Sequence, residues 1–276
     1  MPVESVDAVV TSPPYTIKNA TGNDFKDGRG GKWPGVALQA GYSNQDDNMP
    51  HEEYVAWQRK CLTAMMRVLR NDGAIFYNYK WRVQDGLLQD RSDIVAGFPV
   101  RQILIWQQAG GINVNPGYFL PNYEVIYLIC KPRFRLAKKA NAIGCVWPIS
   151  PESKNPHPAP FPVELAQRCI ESTTGRIVLD PFMGSGTTAL AANAVERQWI
   201  GVELSEAYCN LARERIAGKV AVGFGQFHSD PLPSDGVRGE RRRSRSHEWI
   251  QHDPAGGCLY AALRQFHWKR RGVRVL

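Results

Sequence analysis

The chain has 276 residues, 43% of them hydrophobic and 22% charged, which suits a globular protein of one large domain or two small ones. No apolar run reaches the roughly 18 residues of a membrane helix, residues 1–15 lack a secretory pattern, and six scattered cysteines without a CxxC pair argue against a zinc ribbon or a disulfide scaffold. A reducing cytoplasm is the expected setting. The net charge is +8, but residues 219–276 hold 11 Lys/Arg against 5 Asp/Glu, so the first 218 residues are close to neutral and global charge says little about a nucleic-acid partner.

Val6–Thr11 (VDAVVT) is a β-branched run that ends at Pro-Pro and reads as a buried strand. Residues 16–50 carry six glycines and read as a long, mobile loop of functional character. In 51–69, Tyr54, Trp57, Cys61, Met65 and Leu69 recur at helical spacing, and Asn71-Asp72-Gly73 provides a stop. Ala74–Tyr79, Val100–Gln107 and Glu124–Cys130 read as strands, and proline-rich Pro148–Pro162 excludes regular structure. Then follow helix Val163–Glu171, strand Arg176–Leu179, helix Thr187–Val195, strand Trp199–Glu203 and helix Ser205–Ala217. This alternation predicts an α/β domain over 1–218, a doubly wound, mostly parallel sheet with helices on both faces. Residues 219–276, with GERRRSRS and no sustained period, read as a basic, disordered tail.

Two segments carry chemistry. Asp180-Pro181-Phe182-Met183-Gly184-Ser185-Gly186-Thr187-Thr188 follows a strand and opens a helix. Glycines there admit a ligand close to the backbone, and the helix start suits a carboxylate or phosphate. Glu203 lies at the end of the next strand, where an acid binds ribose hydroxyls. The pattern specifies an adenosine-bearing cofactor. Gly184–Ala189 also fits G-x-G-x-x-A, which keeps a nicotinamide enzyme in view. Asp180 favours a sulfonium cofactor with an ammonium group, because opposite charges attract. The second segment is Thr11-Ser12-Pro13-Pro14-Tyr15. Its prolines lack N–H groups, so their carbonyls are pure acceptors. With the Ser12 hydroxyl and the Tyr15 ring they suit a planar amine on a heterocycle.

Together these residues resemble the DNA amino-methyltransferases, which methylate cytosine N4 or adenine N6 with S-adenosylmethionine. TSPPY resembles their catalytic motif and DPFMGSGTT their cofactor motif, in the order of the circularly permuted β group. The resemblance implies catalytic roles for Ser12, Pro13, Pro14 and Tyr15. It implies cofactor binding by Phe161, Pro162, Asp180, Pro181, Phe182, Gly184, Ser185, Gly186, Thr187, Thr188 and Glu203, with no metal. Serine at the second motif position resembles the cytosine-N4 subgroup, with adenine N6 as the alternative. Double-stranded DNA is the implied substrate, its target base flipped out, and a cognate restriction endonuclease is an implied partner. Lys18, Arg29 and Lys32 of the loop, and Arg133, Arg135, Lys138 and Lys139 within a short segment 132–146, are candidate phosphate contacts. The family's upstream strand and its Gly-Asp turn have no counterpart before Val6, so the edge beside Trp199–Glu203 is expected to lie open, with Lys219–Phe227 a candidate replacement. A truncated, inactive relative is a third reading.

Overall fold

The computed structural model describes residues 1–14, 49–84, 87–110, 116–152 and 161–218, with Arg274 and Val275. Tyr15, the loop as far as residue 48 with Lys18, Arg29 and Lys32, and the tail over 219–273 lie outside the described residues. No helix among the described residues is long and apolar enough to cross a membrane.

The first strand, β1 (Val6–Thr11), is where the β-branched run before Pro-Pro predicts it. Val9 and Val10 enter cores on opposite faces of the sheet. Helix α1 (His51–Val68) buries Tyr54, Gln58, Cys61, Leu62 and Met65 as one stripe. It passes directly into β2 (Leu69–Tyr79) without a separate turn. The Asn71-Asp72-Gly73 signal is real but differently expressed. Val6 pairs with Leu69 and Ala8 already with Ala74, so residues 70–73 bulge out of the ladder. A hairpin, β3 (Arg82–Gln84) and β4 (Leu87–Gln89), and a short helix α2 (Ser92–Val95) follow. Next come β5 (Val100–Gln107), β6 (Tyr123–Cys130), and β7 (Val146–Pro148), whose last residue is the first of the segment expected to hold no regular structure. The remaining elements are α3 (Val163–Glu171), β8 (Ile177–Asp180), α4 (Thr187–Ala194), β9 (Gln198–Glu203), α5 (Glu206–Ile216) and β10 (Arg274–Val275).

The sheet order is β10-β9-β8-β1-β2-β6-β5-β7. Pairs β9–β8, β8–β1, β1–β2 and β5–β7 are parallel, whereas β2–β6, β6–β5 and β9–β10 are antiparallel. One face is covered by α1 and α2, the other by α3 and α4. From β1 the chain winds to β2 on one side, and from β8 to β9 on the other. The switch of winding direction therefore falls between β1 and β8, which are hydrogen-bonded neighbours.

One expectation changes. The edge of β9, expected open, is paired by Arg274 and Val275 against Glu203 and Val202. The segment 132–146 lies away from the catalytic turn. Because β6 runs antiparallel to β2, this segment leaves the sheet at the amino ends of β1 and β2. The amides of Lys131 and Arg133 bond to the carbonyls of Gly73 and Asn71 there.

Candidate active site

Ser12 and Asp180, 168 residues apart in sequence, end neighbouring parallel strands. The two turns are joined covalently by nothing and chemically by a buried carboxylate. The Thr11 hydroxyl donates to Asp180 Oδ1 at 2.6 Å. The Thr188 hydroxyl donates to Oδ2 at 2.6 Å, and the Phe182 amide to Oδ1 at 3.1 Å. Asp180 is 2% exposed, and burial pushes its carboxyl up to about 6 despite these donors. Its contacts are therefore with the protein: it fastens the catalytic strand to the glycine turn.

The turn is built from the backbone outward. Gly184 and Gly186 have φ of 52° and 83°, a left-handed conformation that favours glycine. A Cβ on Gly186 would also approach the Ala212 Cβ of α5 to 2.9 Å. Ser185, Thr187 and Thr188 are buried, and their hydroxyls serve the turn itself. Arg215 of α5 donates to the Ser185 carbonyl and hydroxyl, both at 2.7 Å, and to Glu152 Oε1 at 2.6 Å. Burial lowers the Arg215 pKa and the Glu152 carboxylate opposes that shift. Phe182 stands at the rim, edge-on to Trp57 at 5.8 Å. Met183 and Pro181 are buried behind it.

Glu203 turns its carboxylate toward this loop. The Gly184 amide donates to Oε2, and the Leu204 and Ser205 amides to Oε1, each at 2.8 Å. A carboxylate offers about four lone-pair positions, so three amides leave room for a hydroxyl donor. Glu203 is only partly buried, and burial raises its pKa. The remaining acceptor position thus fits a ribose hydroxyl. Phe161 and Pro162 come to the same end, because α3 starts there and finishes at the amino end, where the Ser172 carbonyl accepts from Ala137.

The catalytic turn is held from α1. The Tyr54 hydroxyl donates to the Pro14 carbonyl at 3.0 Å and lies 2.7 Å from the Tyr79 hydroxyl. Gln58 donates to the Tyr54 hydroxyl at 2.9 Å and accepts from Tyr77. On the other side, Asn78 Nδ2 donates to Ser12 Oγ at 3.4 Å and to Glu124 Oε2 at 2.9 Å. Gln108 donates to Glu124 Oε1 at 3.2 Å. Sequence reasoning missed Tyr54, Gln58, Asn78, Glu124, Glu152 and Arg215. A polar i,i+4 pair, Tyr54 and Gln58, inside an apolar helical stripe was the available signal. Asn78 among the aromatics of FYNY was another.

The structure brings together Ser12, Pro13, Pro14, Phe161, Pro162, Asp180–Thr188 and Glu203 at one end of the sheet. It does not bring Arg133, Arg135, Lys138 and Lys139 there. They follow Lys131 and Arg133 to the amino ends of the strands, next to Asn71, Gly73 and Ser172. The direction of β6 thus places them away from the catalytic turn.

A family model described as DNA methylase, of the N6/N4 methyltransferase type, matches residues 6–214. Type II methyltransferase M.BglII of Bacillus subtilis is 27% identical over 261 residues, spanning 79% of this chain and 66% of that protein. This chain therefore spans about two thirds of that relative's length. The cytosine-N4-specific PvuII DNA methyltransferase shares the fold, with a TM-score of 0.60 at 20% identity over 78% of this chain and 80% of the other. TTHA0409 of Thermus thermophilus, solved in complex with S-adenosyl-L-methionine, gives a TM-score of 0.55 at 26% identity, covering 80% of this chain and 88% of the other. With its matched segment running from the first residue of β1 into α5, the chain belongs to the N6/N4 DNA methylase family.

Proposed function

We propose that the protein transfers a methyl group from S-adenosylmethionine to the exocyclic amine of a flipped base in double-stranded DNA, with cytosine N4 as the target. The observation that carries this reading is the Thr11–Asp180 hydrogen bond across the β1–β8 switch point. It sets the amine-accepting turn directly beside the turn that suits an adenosyl cofactor. When bound, S-adenosylmethionine supplies an electrophilic methyl on a sulfonium. Glu203 would accept from its ribose, with the glycine turn and Phe182 beside it. Phe161 and Pro162 would border the methionine end.

An exocyclic amine is a weak nucleophile because its lone pair is delocalised into the ring. Ser12 Oγ and the Pro13 carbonyl accept its two hydrogens and favour a pyramidal nitrogen. The Pro14 carbonyl is engaged by Tyr54 and Gln58, so the acceptor role falls to Pro13. The gain is positioning and electrostatic stabilisation rather than strong base catalysis. Methylation acidifies the nitrogen, whose surplus proton passes to solvent. Tyr15, next along, stacks on the base in this reading. The order of the motifs is that of a circular permutation, with the amine turn ahead of the cofactor turn. A partner restriction endonuclease fits the type II relative.

The test is transfer of labelled methyl to unmethylated DNA, followed by nucleoside mass spectrometry. N4-methylcytosine is expected. N6-methyladenine would reassign the base, which the presence of serine at position 12 disfavours. Label absent from DNA while the cofactor binds would overturn the reading. In Ser12→Ala the rate should fall by about 10²-fold, on the scale of losing one charge-stabilising contact, and an unchanged rate would remove the role given to that hydroxyl.

A further inference from the structure

Phe119 is 97% exposed, far beyond the other large apolar residues of the described surface. It sits in the loop between β5 and β6, flanked by Pro116 and Pro121. A phenyl ring this exposed gains free energy when an apolar or aromatic partner covers it. The base of this loop is well anchored. The Gln108 amide donates to the Asn122 carbonyl at 2.7 Å, and the Asn122 amide to the Leu120 carbonyl at 2.9 Å.

The anchor leads to the catalytic turn. Gln108 donates to Glu124, which accepts from Asn78, which donates in turn to Ser12. The loop therefore rises from the same end of the sheet as Ser12, three hydrogen bonds along that end. From Gln107 to Tyr123 the sequence contains no acidic residue, so nothing in the loop repels a phosphate backbone. Lys80, 3.9 Å from Glu124 and about half exposed, adds a cation to the same rim.

We infer that Phe119 is the residue that enters the DNA base stack when the target base leaves it. This rests on the DNA-methylating reading above. Extruding a base leaves a gap one stacking step deep, about 3.4 Å along a strand, which an aromatic ring fills. Apolar side chains inserted between base steps stabilise unstacked DNA by this means. Phe119 then acts on the duplex rather than on the cofactor or the amine.

The experiment first maps the methylated site by sequencing DNA treated with the wild-type chain. Two duplexes containing that site are then compared, one fully paired and one with the target base mispaired, so that extrusion costs less. In Phe119→Ala the rate on the paired duplex should fall about tenfold, of the order of 1.4 kcal/mol. On the mispaired duplex it should approach wild type, with S-adenosylmethionine affinity unchanged. Phe119→Leu, which keeps apolar bulk, should retain most of the paired-duplex rate. A wild-type rate for Phe119→Ala on paired DNA overturns the inference, and so does an equal loss on both duplexes. Conversion of a wild-type dimer to a monomer in Phe119→Ala, with its rate intact, would assign the ring to a second copy and also overturn it. A wild-type chain that methylates no DNA is a separate outcome, which sinks the functional reading itself.

Discussion

Asp180 is ordinarily the kind of residue assigned to a ligand, yet here its two oxygens are taken by Thr11, Thr188 and the Phe182 amide. Its carboxyl rises from 3.8 to about 6 because burial outweighs those donors. A value higher in the folded chain than in the unfolded one means that the protonated group favours folding. That contribution is complete below 3.8 and is lost as pH rises to about 6. Relative to Asp180→Asn, wild type should therefore lose about 1.4 kcal/mol of stability per pH unit between those two values, and the difference should level off above them. Urea midpoints measured across that range check this, and a pH-independent difference would mean that the carboxyl titrates normally. Tyr54 makes a second residue-scale test. Removing its hydroxyl in Tyr54→Phe leaves the Pro14 carbonyl with only the longer bond from Gln58 and strips a partner from buried Tyr79. A loss of about 1–3 kcal/mol is expected, with kcat falling while cofactor affinity holds. Equal kcat in the variant would mean that the turn needs no support from α1.

Between elements, the buried ion pair of Arg215 and Glu152 ties three parts of the chain together. Arg215 belongs to α5, Ser185 to the glycine turn, and Glu152 to the segment after β7. The two side chains are 2% and 4% exposed, and Glu152 Oε2 has no partner among the described residues. Removing one charge from such a pair leaves the other stranded. Arg215→Met should cost about 3–5 kcal/mol, and Arg215→Met with Glu152→Leu much less than the sum of the single changes. A denaturation cycle reads the coupling. Cofactor titration on the same proteins should show weakened binding for Arg215→Met, because the turn loses two of its braces. Additive stability effects would show that the pair is incidental to the turn.

At the scale of the molecule, the sheet has one edge at β7 and the other at β10. The second is a two-residue strand from the far end of the chain, and it covers the backbone of Val202 and Glu203. An uncovered β9 would present unpaired amides and carbonyls to any other chain. Deleting residues 273–276 should therefore give association that grows with protein concentration, visible by light scattering, where the intact chain stays unchanged. Identical scattering from both would show that the edge is protected in some other way.

Much of this protein was legible in its sequence. Strand and helix alternation after residue 51 follows from hydrophobic period and turn residues, which are local properties, so β5, α3 and the site-bearing ends of β1 and β8 lie where the sequence puts them. The two motifs were equally legible, because a glycine turn and a proline turn impose their backbone shapes wherever they occur. Local pattern does not report which strand lies beside which, or in which direction a later strand runs. Only the tertiary structure decided that β6 returns antiparallel and takes Arg133, Arg135, Lys138 and Lys139 away from Ser12. Only it turned Asp180, Ser185, Thr187 and Thr188 inward as the fastening of the turn, and drew Tyr54, Asn78 and Arg215 to a site that their own segments do not announce. Burial and hydrogen-bond partners come from long-range packing, and in this fold the partners lie up to 178 residues apart.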